Sequence, residues 1–523
     1  MSKKLEERLK RLSEFQNDTL LQGGLKGIEK EGLRVTLDGH IASTPHPKSL
    51  GSALTHPYIT TDYSEALLEL ITPPFAETTE TLEFLTDVHH FVYANIGEEL
   101  MWAASMPCLL EDEESIPIAE YGTSNIGKMK HIYRRGLAWR YGRAMQAIAG
   151  VHFNYSVPER FWPVFQQMEG DDRVLQDFVS ESYMALIRNF QRIGWIVSYL
   201  FGASPSVCPS FIKLRKIEFP DFNEAACQRP YATSLRMSDI GYKNSNQDVI
   251  VVSYNTLDEY VESLMKATRT PCEAYKKIGV VVDGEYRQLN ANILQIENEY
   301  YSFVRPKQIA ESCETPSHAL ENRGVRYVEI RAIDVNPFDP IGVNELQMNF
   351  MEVLLLFCLL EESPLMDKAE RDEFERNQSL TACRGRDPEL KLTKADREIP
   401  IKDWVMEILE RMKPVCALLE EQGDRRYTEA VEAQMDKVRD SSLLPASQVI
   451  AGMEKADQSF FRFALERSEE HKEFFLQRPV PEKRFTWFRE LAEQSLNEQQ
   501  ALEAVEQPPF DQFLQKILQG DCI

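Results

Sequence analysis

The sequence lacks a long apolar run and any cysteine motif, and each absence excludes a class of protein. Its most apolar stretch, residues 353–360, is far shorter than the ~20 residues that a membrane helix needs. The N-terminus, MSKKLEERLKRL, is charged and has no apolar signal core. The nine cysteines are scattered, without a CxxC pair or a zinc-type spacing with histidine. We therefore expect a cytoplasmic protein with reduced thiols, and a buried helix at residues 353–360.

Net positive charge is also lacking, since the formal charge is −24 at pH 7. A protein this acidic repels phosphate backbones and anionic lipid surfaces, so we expect neither nucleic acid nor a membrane as a partner. A small anion such as a nucleotide is not excluded, because bound cations and a few arginines can reverse the field inside a pocket. Clustered carboxylates also hold divalent cations.

A flexible linker is absent too, although two parts of the chain differ in texture. Residues 1–343 interleave strand-like segments with helices and turns. Residues 344–523 are mostly helical and highly charged, with apolar residues at helical spacing. Because no Pro/Gly/Ser-rich segment separates the two regions, we expect both to belong to one compact body.

Several strand-like segments place polar side chains on one face. They are residues 26–35, 61–71, 151–157 and 326–333. Residues i and i+2 share a face of a strand. The polar neighbours that result are Glu29 with Glu31, His152 with Asn154, and Glu329 with Arg331. We therefore expect a sheet with an apolar back and a polar front.

The predicted polar front has the composition of a site for metal ions and phosphate. Mg²⁺ prefers oxygen ligands, and several carboxylates on one face repel one another unless cations compensate them. The candidate metal ligands are Glu29, Glu31, Asp62, Glu69, His152 and Glu329. Arg331 has the planar guanidinium that suits a transferring phosphoryl group. An ordinary solvated strand face stays the alternative for each pair taken alone, and these residues do not name a reaction.

Longer strings identify a family. In chain order they are GIEKEGLRV (27–35), TDYSEALLELITP (61–73), YGTSNIGKMKHIYRRGL (121–137), GVHFNYS (150–156), YATSLRMSDIGY (231–242) and YVEIRAIDVNPFDPIGV (327–343). Together they resemble the proteobacterial-type glutamate–cysteine ligases, also called γ-glutamylcysteine synthetases, over residues 25–343. The resemblance implies an α+β, glutamine-synthetase-like fold. In such a fold a curved, largely antiparallel sheet forms a funnel-shaped active site, and helices pack outside it.

The resemblance implies an ATP-dependent ligation in the catalytic sheet region, residues 1–343. ATP would phosphorylate the γ-carboxylate of L-glutamate, and the amine of L-cysteine would then displace phosphate from γ-glutamyl phosphate. This is the first step of glutathione biosynthesis. The expected cofactor is Mg²⁺, with Mn²⁺ as an alternative, and ATP is a co-substrate. Glutathione is expected as a feedback inhibitor, and the protein is expected to be a monomer.

The resemblance also implies roles for individual residues. Glu329 and Arg331 would be catalytic, with Arg331 also on the phosphates of ATP, and the candidate metal ligands match the metal-site positions of the family. Residues expected to bind glutamate are Arg236 at the α-carboxylate, with Arg134 and Asn154. Residues expected to line the pocket for the cysteine side chain are Tyr63, Tyr133, Leu137, Tyr242 and Tyr301. An aromatic pocket suits a thiol, which is a weak hydrogen-bonding group. Core packing is the alternative for these tyrosines, and Tyr300 is the alternative to Tyr301.

Other functions stay open at this point. A related ligase could join glutamate to a different amine. A non-catalytic regulator of the same fold could bind nucleotide or metal, but it would be expected to have lost metal-site acids, which are intact here. A bifunctional glutathione-forming chain would carry a further ATP-grasp domain after the ligase. We expect no room for such a domain before Ile523, and we therefore expect glutathione to need a separate second enzyme.

Overall fold

A computed structural model describes residues 2–14, 20–218, 227–241, 251–311, 314–421, 423–455 and 459–519 of the chain. The strands are β1 (Leu25–Val35), β2 (Ile59–Thr61), β3 (Leu67–Ile71), β4 (Leu100–Met101), β5 (Val151–Ser156), β6 (Ser206–Val207), β7 (Cys227–Gln228), β8 (Val281–Val282), β9 (Glu285–Tyr286), β10 (Val304–Lys307), β11 (Tyr327–Ile333), β12 (Lys391–Lys394) and β13 (Arg397–Pro400).

Helices make up most of the rest. They are α1 (Lys3–Glu14), α2 (Thr78–Tyr93), α3 (Asn125–Tyr141), α4 (Arg143–Gln146), α5 (Phe161–Glu169), α6 (Leu175–Ile193), α7 (Trp195–Phe201), α8 (Pro209–Arg215), α9 (Leu257–Arg269), α10 (Glu273–Ile278), α11 (Pro316–Arg323), α12 (Glu345–Leu360), α13 (Lys368–Arg384), α14 (Ile401–Leu419), α15 (Arg426–Arg439), α16 (Pro445–Lys455), α17 (Phe460–Leu476), α18 (Glu482–Ala504) and α19 (Phe510–Gln519). Short 3₁₀ helices lie at Lys48–Leu50, Leu235–Met237, Glu297–Glu299 and Ser441–Leu443.

The central sheet is antiparallel and has the strand order β10-β11-β5-β1-β3-β2, with β4 beside the end of β1. The centre of its back is apolar: Phe153 on β5 lies opposite Ile28 on β1 and Ile330 on β11, and all three side chains are buried. Because successive residues of a strand alternate between faces, the neighbours of these residues project from the front. The predicted apolar back and polar front are confirmed for β5 and β11. On β1 the back is not purely apolar, because the buried Lys26 and Lys30 alternate there with Ile28.

Helix α12 forms the core behind the sheet. It begins at a capping box, in which Asn344 and Gln347 each satisfy the other's backbone N–H. Its residues from Gln347 to Leu360 are buried, so the buried helix predicted at residues 353–360 is confirmed. The Oε2 atom of Glu352 lies 2.7 Å from Lys26 Nζ of β1, which ties the helix to the sheet.

The C-terminal region packs against the sheet region through buried polar contacts. Asn189 of α6 donates to the carbonyl of Cys358 at 2.8 Å, and the backbone N–H of Ala103 donates to Ser468 Oγ at 3.0 Å. Strands β12 and β13 form a hairpin that the helical texture did not predict. The division at residue 343 stays a prediction. Among the described residues, no helix combines the length and apolarity that a bilayer span requires.

Candidate active site

Four adjacent strands bring the predicted acids and the histidine together on the front of the sheet. Glu29 of β1 lies opposite His152 of β5, and Glu31 of β1 lies opposite Glu69 of β3. Glu329 of β11 lies on the other side of β5, opposite Asn154. Directly opposed residues in antiparallel pairs have Cβ atoms about 4.5–5.5 Å apart, so the register alone makes these side chains converge.

His152 stands at the centre of the acids. Its Nδ1 atom is 3.2 Å from Glu29 Oε2 and 3.7 Å from Glu329 Oε1, and its Nε2 atom is 3.5 Å from Glu31 Oε1. One ligand atom from each of Glu29, His152 and Glu329 lies within 4.8 Å of the others, a spacing that could hold a metal ion. Glu329 Oε2 is buried and accepts no hydrogen bond.

Desolvation and mutual repulsion oppose ionisation of two of these acids. Burial raises the pKa of Glu69 well above its ordinary value, and the charges of Glu29, Asp62 and Glu31 raise it further. Burial also raises the pKa of Glu31, and Asp62 again contributes. Among the described residues, no lysine or arginine forms an ion pair with Glu69. A bound cation would relieve this repulsion, because it favours the ionised form of each carboxyl.

The other two glutamates are held ionised by neighbouring groups. Burial would raise the pKa of Glu29, but the hydrogen bond with His152 and the charges of His152 and Lys307 together outweigh it, and the pKa falls below its ordinary value. Burial is likewise overcome at Glu329, where Lys307, Arg331 and His152 hold the pKa well below the ordinary range. The donor set of carboxylates with one imidazole fits a divalent ion of the Mg²⁺ or Mn²⁺ type.

Arg331 lies beside these acids, at an irregularity in β11. The register between β11 and β5 shifts between Ile330 and Ile333, and such a bulge re-aims the side chains near it. Arg331 Nη1 donates to Glu329 Oε1 at 3.0 Å and lies 3.4 Å from His152 Nδ1. Its guanidinium therefore faces the cluster.

Two lysines near the acids were missing from the sequence-based prediction. Lys307 on β10 lies 3.4 Å from Glu329 Oε2. Lys130 lies one helical turn before Arg134 on α3; burial lowers its pKa to about 8, and the charge of Glu69 opposes that shift. The alternating Arg305-Pro306-Lys307 pattern was the available signal for β10, since it places two cations on one strand face.

Arg236 is buried in a 3₁₀ helix close to the start of β5. Its Nη2 atom donates to the carbonyl of Arg331 at 2.9 Å, and its Nη1 atom is 3.7 Å from Asp334 Oδ1. A Cβ atom on Gly150 would lie 2.0 Å from Arg236 Nη2, so only glycine allows the guanidinium to approach the backbone here. The charge of Arg236 also favours ionisation of Glu31, which shows that this arginine adjoins the acid cluster.

Asn154 and Arg134 hold neighbouring parts of the cluster in place. Asn154 Nδ2 donates to Glu29 Oε1 at 2.9 Å, whereas its Oδ1 atom is buried and accepts no hydrogen bond. Arg134 Nε donates to the carbonyl of Asp62, and its guanidinium lies 4.6 Å from the ring centroid of Tyr121. Part of Arg134 is therefore committed to positioning the turn after β2.

Aromatic side chains border the acids at the α3 side. Tyr133 and the buried Leu137 lie on α3 one turn apart, and Gln146 donates to Tyr301 Oη at 2.9 Å. Burial raises the pKa of Tyr301, and the charge of Asp62 contributes to the shift. The same two causes act on Tyr133, together with the charge of Glu299. Both rings therefore lie near the front of the sheet.

Tyr63 also belongs to this group, whereas Tyr300 does not. Burial raises the pKa of Tyr63, and Tyr301 contributes to the shift, so these two side chains are neighbours. The hydroxyl of Tyr63 is buried without a hydrogen-bond partner. Tyr300 instead interacts with Tyr254 and Tyr260. The predicted pocket residue Tyr242 lies outside the described residues.

Comparison with known proteins identifies the family to which this site belongs. The family model described as glutamate–cysteine ligase matches residues 9–381. The chain belongs to the glutamate–cysteine ligase family. A glutamate–cysteine ligase from Alcanivorax borkumensis is 46% identical over 98% of this chain and 99% of its own length. One from Pseudomonas putida strain KT2440 is 47% identical over 98% of each chain.

A solved structure matches the fold. Glutamate–cysteine ligase from Francisella tularensis, in complex with AMP, has a TM-score of 0.89 and 35% sequence identity, and the match covers 95% of this chain and 98% of that one. The predicted family, the predicted ligase class and the predicted α+β fold are therefore confirmed. The match to glutamate–cysteine ligases also continues past residue 343, where the motifs used in the prediction end.

Proposed function

We propose that this glutamate–cysteine ligase joins the γ-carboxylate of L-glutamate to the amine of L-cysteine and releases ADP and phosphate. The observation that carries the proposal is the cluster on the sheet front, in which His152 and the acids lie beside the guanidinium of Arg331. The site combines cationic groups and clustered carboxylates with aromatic rings on its α3 side. Such a combination suits a reaction between a charged phosphate donor and a small thiol-bearing amine.

The first step would be attack of a γ-carboxylate oxygen of glutamate on the terminal phosphorus of ATP, with ADP as the leaving group. Arg331 would neutralise charge on the transferring phosphoryl group, because its planar fork matches phosphate oxygens. Glu29, Glu31, Asp62, Glu69, His152 and Glu329 would hold the Mg²⁺ ions. Bound Mg²⁺ supplies Lewis acidity at the phosphate oxygens.

In the second step, the cysteine nitrogen would attack the γ-carbonyl carbon and phosphate would leave. Arg236 would bind the α-carboxylate of glutamate, and Asn154 Oδ1, which is buried without a donor, would accept from a substrate N–H. Tyr63, Tyr133, Leu137 and Tyr301 would surround the side chain of cysteine. Because a hydroxyl loses more hydration than a thiol in such a pocket, the pocket would favour cysteine over serine.

Three properties outside the site belong to the same proposal. The enzyme would act in the cytoplasm as a monomer, and glutathione would inhibit it, since the tripeptide contains the frames of both amino-acid substrates.

The test is ADP release with Mg²⁺, ATP and L-glutamate, with and without L-cysteine, for the wild type and for Glu329→Gln. We expect cysteine to trigger turnover in the wild type. We expect the substitution to remove turnover, because the amide lacks the charge that Glu329 offers to a cation. Circular dichroism would establish that the variant is folded.

Other outcomes would favour a different function. Turnover with ammonia or a polyamine, but not with cysteine, would replace the proposed amine and keep the ligase chemistry. ATP binding without ADP formation in the presence of any amine would instead favour a non-catalytic regulator.

A further inference from the structure

A buried ion pair lies behind the aromatic side of the site and takes no part in the chemistry proposed above. Arg140 Nη1, near the end of α3, lies 2.9 Å from Glu299 Oε1, and both side chains are 0% exposed. Burying two opposite charges is expensive, and an apolar pair of similar size often stabilises a protein equally well. Such a pair is therefore a candidate for fixing a particular geometry.

Both members of the pair have their hydrogen-bonding groups satisfied. Glu299 Oε1 also accepts from Tyr141 Oη at 2.5 Å, and Glu299 Oε2 accepts from the backbone N–H of Gln295 at 2.7 Å. Arg140 Nε donates to Gln288 Oε1 at 3.0 Å. Because the N–H groups of a planar guanidinium donate only in fixed directions, these contacts define one arrangement of the two segments.

The pair joins the two segments that carry the proposed amine pocket. Arg140 lies on the helix that bears Tyr133 and Leu137, whereas Glu299 lies two residues before Tyr301. The rings of Tyr141 and Tyr301 are 6.0 Å apart at their centroids, in an edge-on arrangement. The position of Tyr301 relative to α3 therefore depends on this contact.

A second contact beside the pair fixes the same interface. Gln295 Nε2 donates to the carbonyl of Tyr133 at 3.2 Å, and Gln295 Oε1 accepts from the backbone N–H of Leu289 at 3.0 Å. A Cβ atom on Gly136 would lie 2.1 Å from Gln295 Oε1. The helix can approach the segment this closely only because residue 136 is glycine.

We propose that the Arg140–Glu299 pair is a positioning device that sets the width of the aromatic pocket and thereby the choice of amine. The inference rests on the proposed function, because it concerns the pocket for the second substrate. Neither residue touches the reacting atoms in the proposed mechanism. Both act through Tyr133, Leu137 and Tyr301.

The test compares steady-state constants of Glu299→Gln with those of the wild type for L-cysteine, L-serine and L-2-aminobutyrate. We expect the KM for cysteine to rise about ten-fold, a factor that corresponds to loss of one well-placed contact, while the KM for glutamate stays within about two-fold. We expect the ratio of kcat/KM for cysteine to that for serine to fall by a similar factor. A purely structural role would lower the melting temperature and leave that ratio unchanged.

Two further variants keep the test decisive. Tyr141→Phe removes one hydrogen bond from Glu299 and keeps the ring, so it should shift the same ratio in the same direction even if Glu299→Gln folds poorly. The matched control is Glu352→Gln, which disrupts the buried pair with Lys26 behind the sheet. It should lower the melting temperature without changing amine selectivity.

The inference is overturned if Glu299→Gln and Tyr141→Phe leave selectivity among the amines unchanged, or if Glu352→Gln changes it equally. Failure of the proposed function is a separate result, seen in the wild type. If the wild type uses another amine, the same ratios are measured for that amine and its next larger homologue. Unchanged ratios in the variants would again overturn the role of the pair.

Discussion

Both faces of the central sheet contain buried charges, but these charges are compensated on the back and repel one another on the front. On the back, Glu352 accepts from Lys26 Nζ at 2.7 Å, from Tyr427 Oη at 2.9 Å and from Tyr155 Oη at 3.2 Å. Its charge is therefore compensated by other residues of the chain. On the front, acids gather around His152, and the pKa of Glu69 is raised well above its ordinary value by desolvation and by its acidic neighbours.

This contrast distinguishes a buried charge that is paired within the chain from buried acids that repel one another. A chain that folds without its substrates satisfies a structural charge itself, because an uncompensated buried charge opposes folding. The acids of the front are only partly compensated, and the repulsion among them is the energetic counterpart of affinity for cations. Substitutions on the two faces should therefore have opposite effects on stability and activity.

The largest effect is expected from a substitution on the front, Glu69→Gln. We expect turnover to fall roughly 10³-fold, or about 4 kcal/mol in transition-state stabilisation, because in the proposed mechanism Glu69 would hold a cation next to the transferring phosphate. Without divalent ions, the variant should be more stable than the wild type by about 1 kcal/mol, since the side chain no longer repels the other acids. ADP-release assays and urea unfolding in EDTA measure the two quantities.

The opposite signs are what this comparison requires. Loss of stability in EDTA together with loss of turnover would mean that Glu69 supports the fold, and the contrast between the faces would fail at this position. Thr60, which lies opposite Glu69 on β2, provides a matched control. Thr60→Val removes no charge from the front but loses the hydrogen bond from Thr60 Oγ1 to the carbonyl of Ala53 at 2.6 Å. It should therefore lower metal-free stability by about 1 kcal/mol and leave turnover nearly unchanged.

An intermediate effect is expected behind the sheet, from Glu352→Gln. The amide leaves Lys26 buried without a counter-charge, so the free energy of unfolding should fall by about 3 kcal/mol. The KM values for ATP and glutamate should not change, because the front of the sheet is untouched. Urea unfolding and ADP-release kinetics on the same preparation test both statements.

The double variant Lys26→Met/Glu352→Leu sharpens the result. Replacing both charges with apolar side chains should restore part of the lost stability, because no unpaired charge stays buried. The recovery should be incomplete, since the hydroxyls of Tyr155 and Tyr427 lose their acceptor. A double variant as unstable as Glu352→Gln would show that the pair itself, and not the leftover charge, holds α12 against the sheet.

The acid cluster could be predicted from the sequence because it depends on strand periodicity. Glu29 and Glu31 share a face by the two-residue repeat, as do His152 and Asn154, and the structure has these strands side by side. The family resemblance supplied the expectation of one curved, largely antiparallel sheet, whereas the strand order came only from the structure. The apolar run at residues 353–360 predicted its helix for an equally local reason, since no polar side chain interrupts it.

Contacts between distant segments could not be predicted in the same way. Arg140 and Glu299 are 159 residues apart, and neither neighbourhood indicates a buried charge. Lys307 reaches Glu329 only because β10 pairs with β11. The β12–β13 hairpin turns at Ala395 and Asp396, which both have positive φ. Aspartate tolerates this conformation, but alanine rarely adopts it, so the sequence gives no clear turn signal here.

The smallest predicted effect concerns Lys437, whose buried charge is less well compensated than that of Lys26. Lys437 on α15 donates to the carbonyl of Leu200 at 3.2 Å and lies 5.0 Å from the ring centroid of Phe201. Burial lowers its pKa to about 8, although the charge of Asp339 opposes the shift. At pH 7 the folded protein therefore holds a charge that its surroundings disfavour.

Lys437→Met should raise the free energy of unfolding at pH 7 by about 1–2 kcal/mol, after allowance for the lost hydrogen bond to Leu200. The size of this stability difference should depend on pH. From pH 8 upward the unfolded chain retains a proton that the folded wild type releases, so the wild type gains stability until the ordinary lysine pKa of 10.5 is reached. The advantage of the variant should shrink over that range. Urea unfolding at pH 7 and at about pH 9.5 measures it, and a variant less stable than the wild type at pH 7 would place Lys437 with Lys26 among the charges that support the fold.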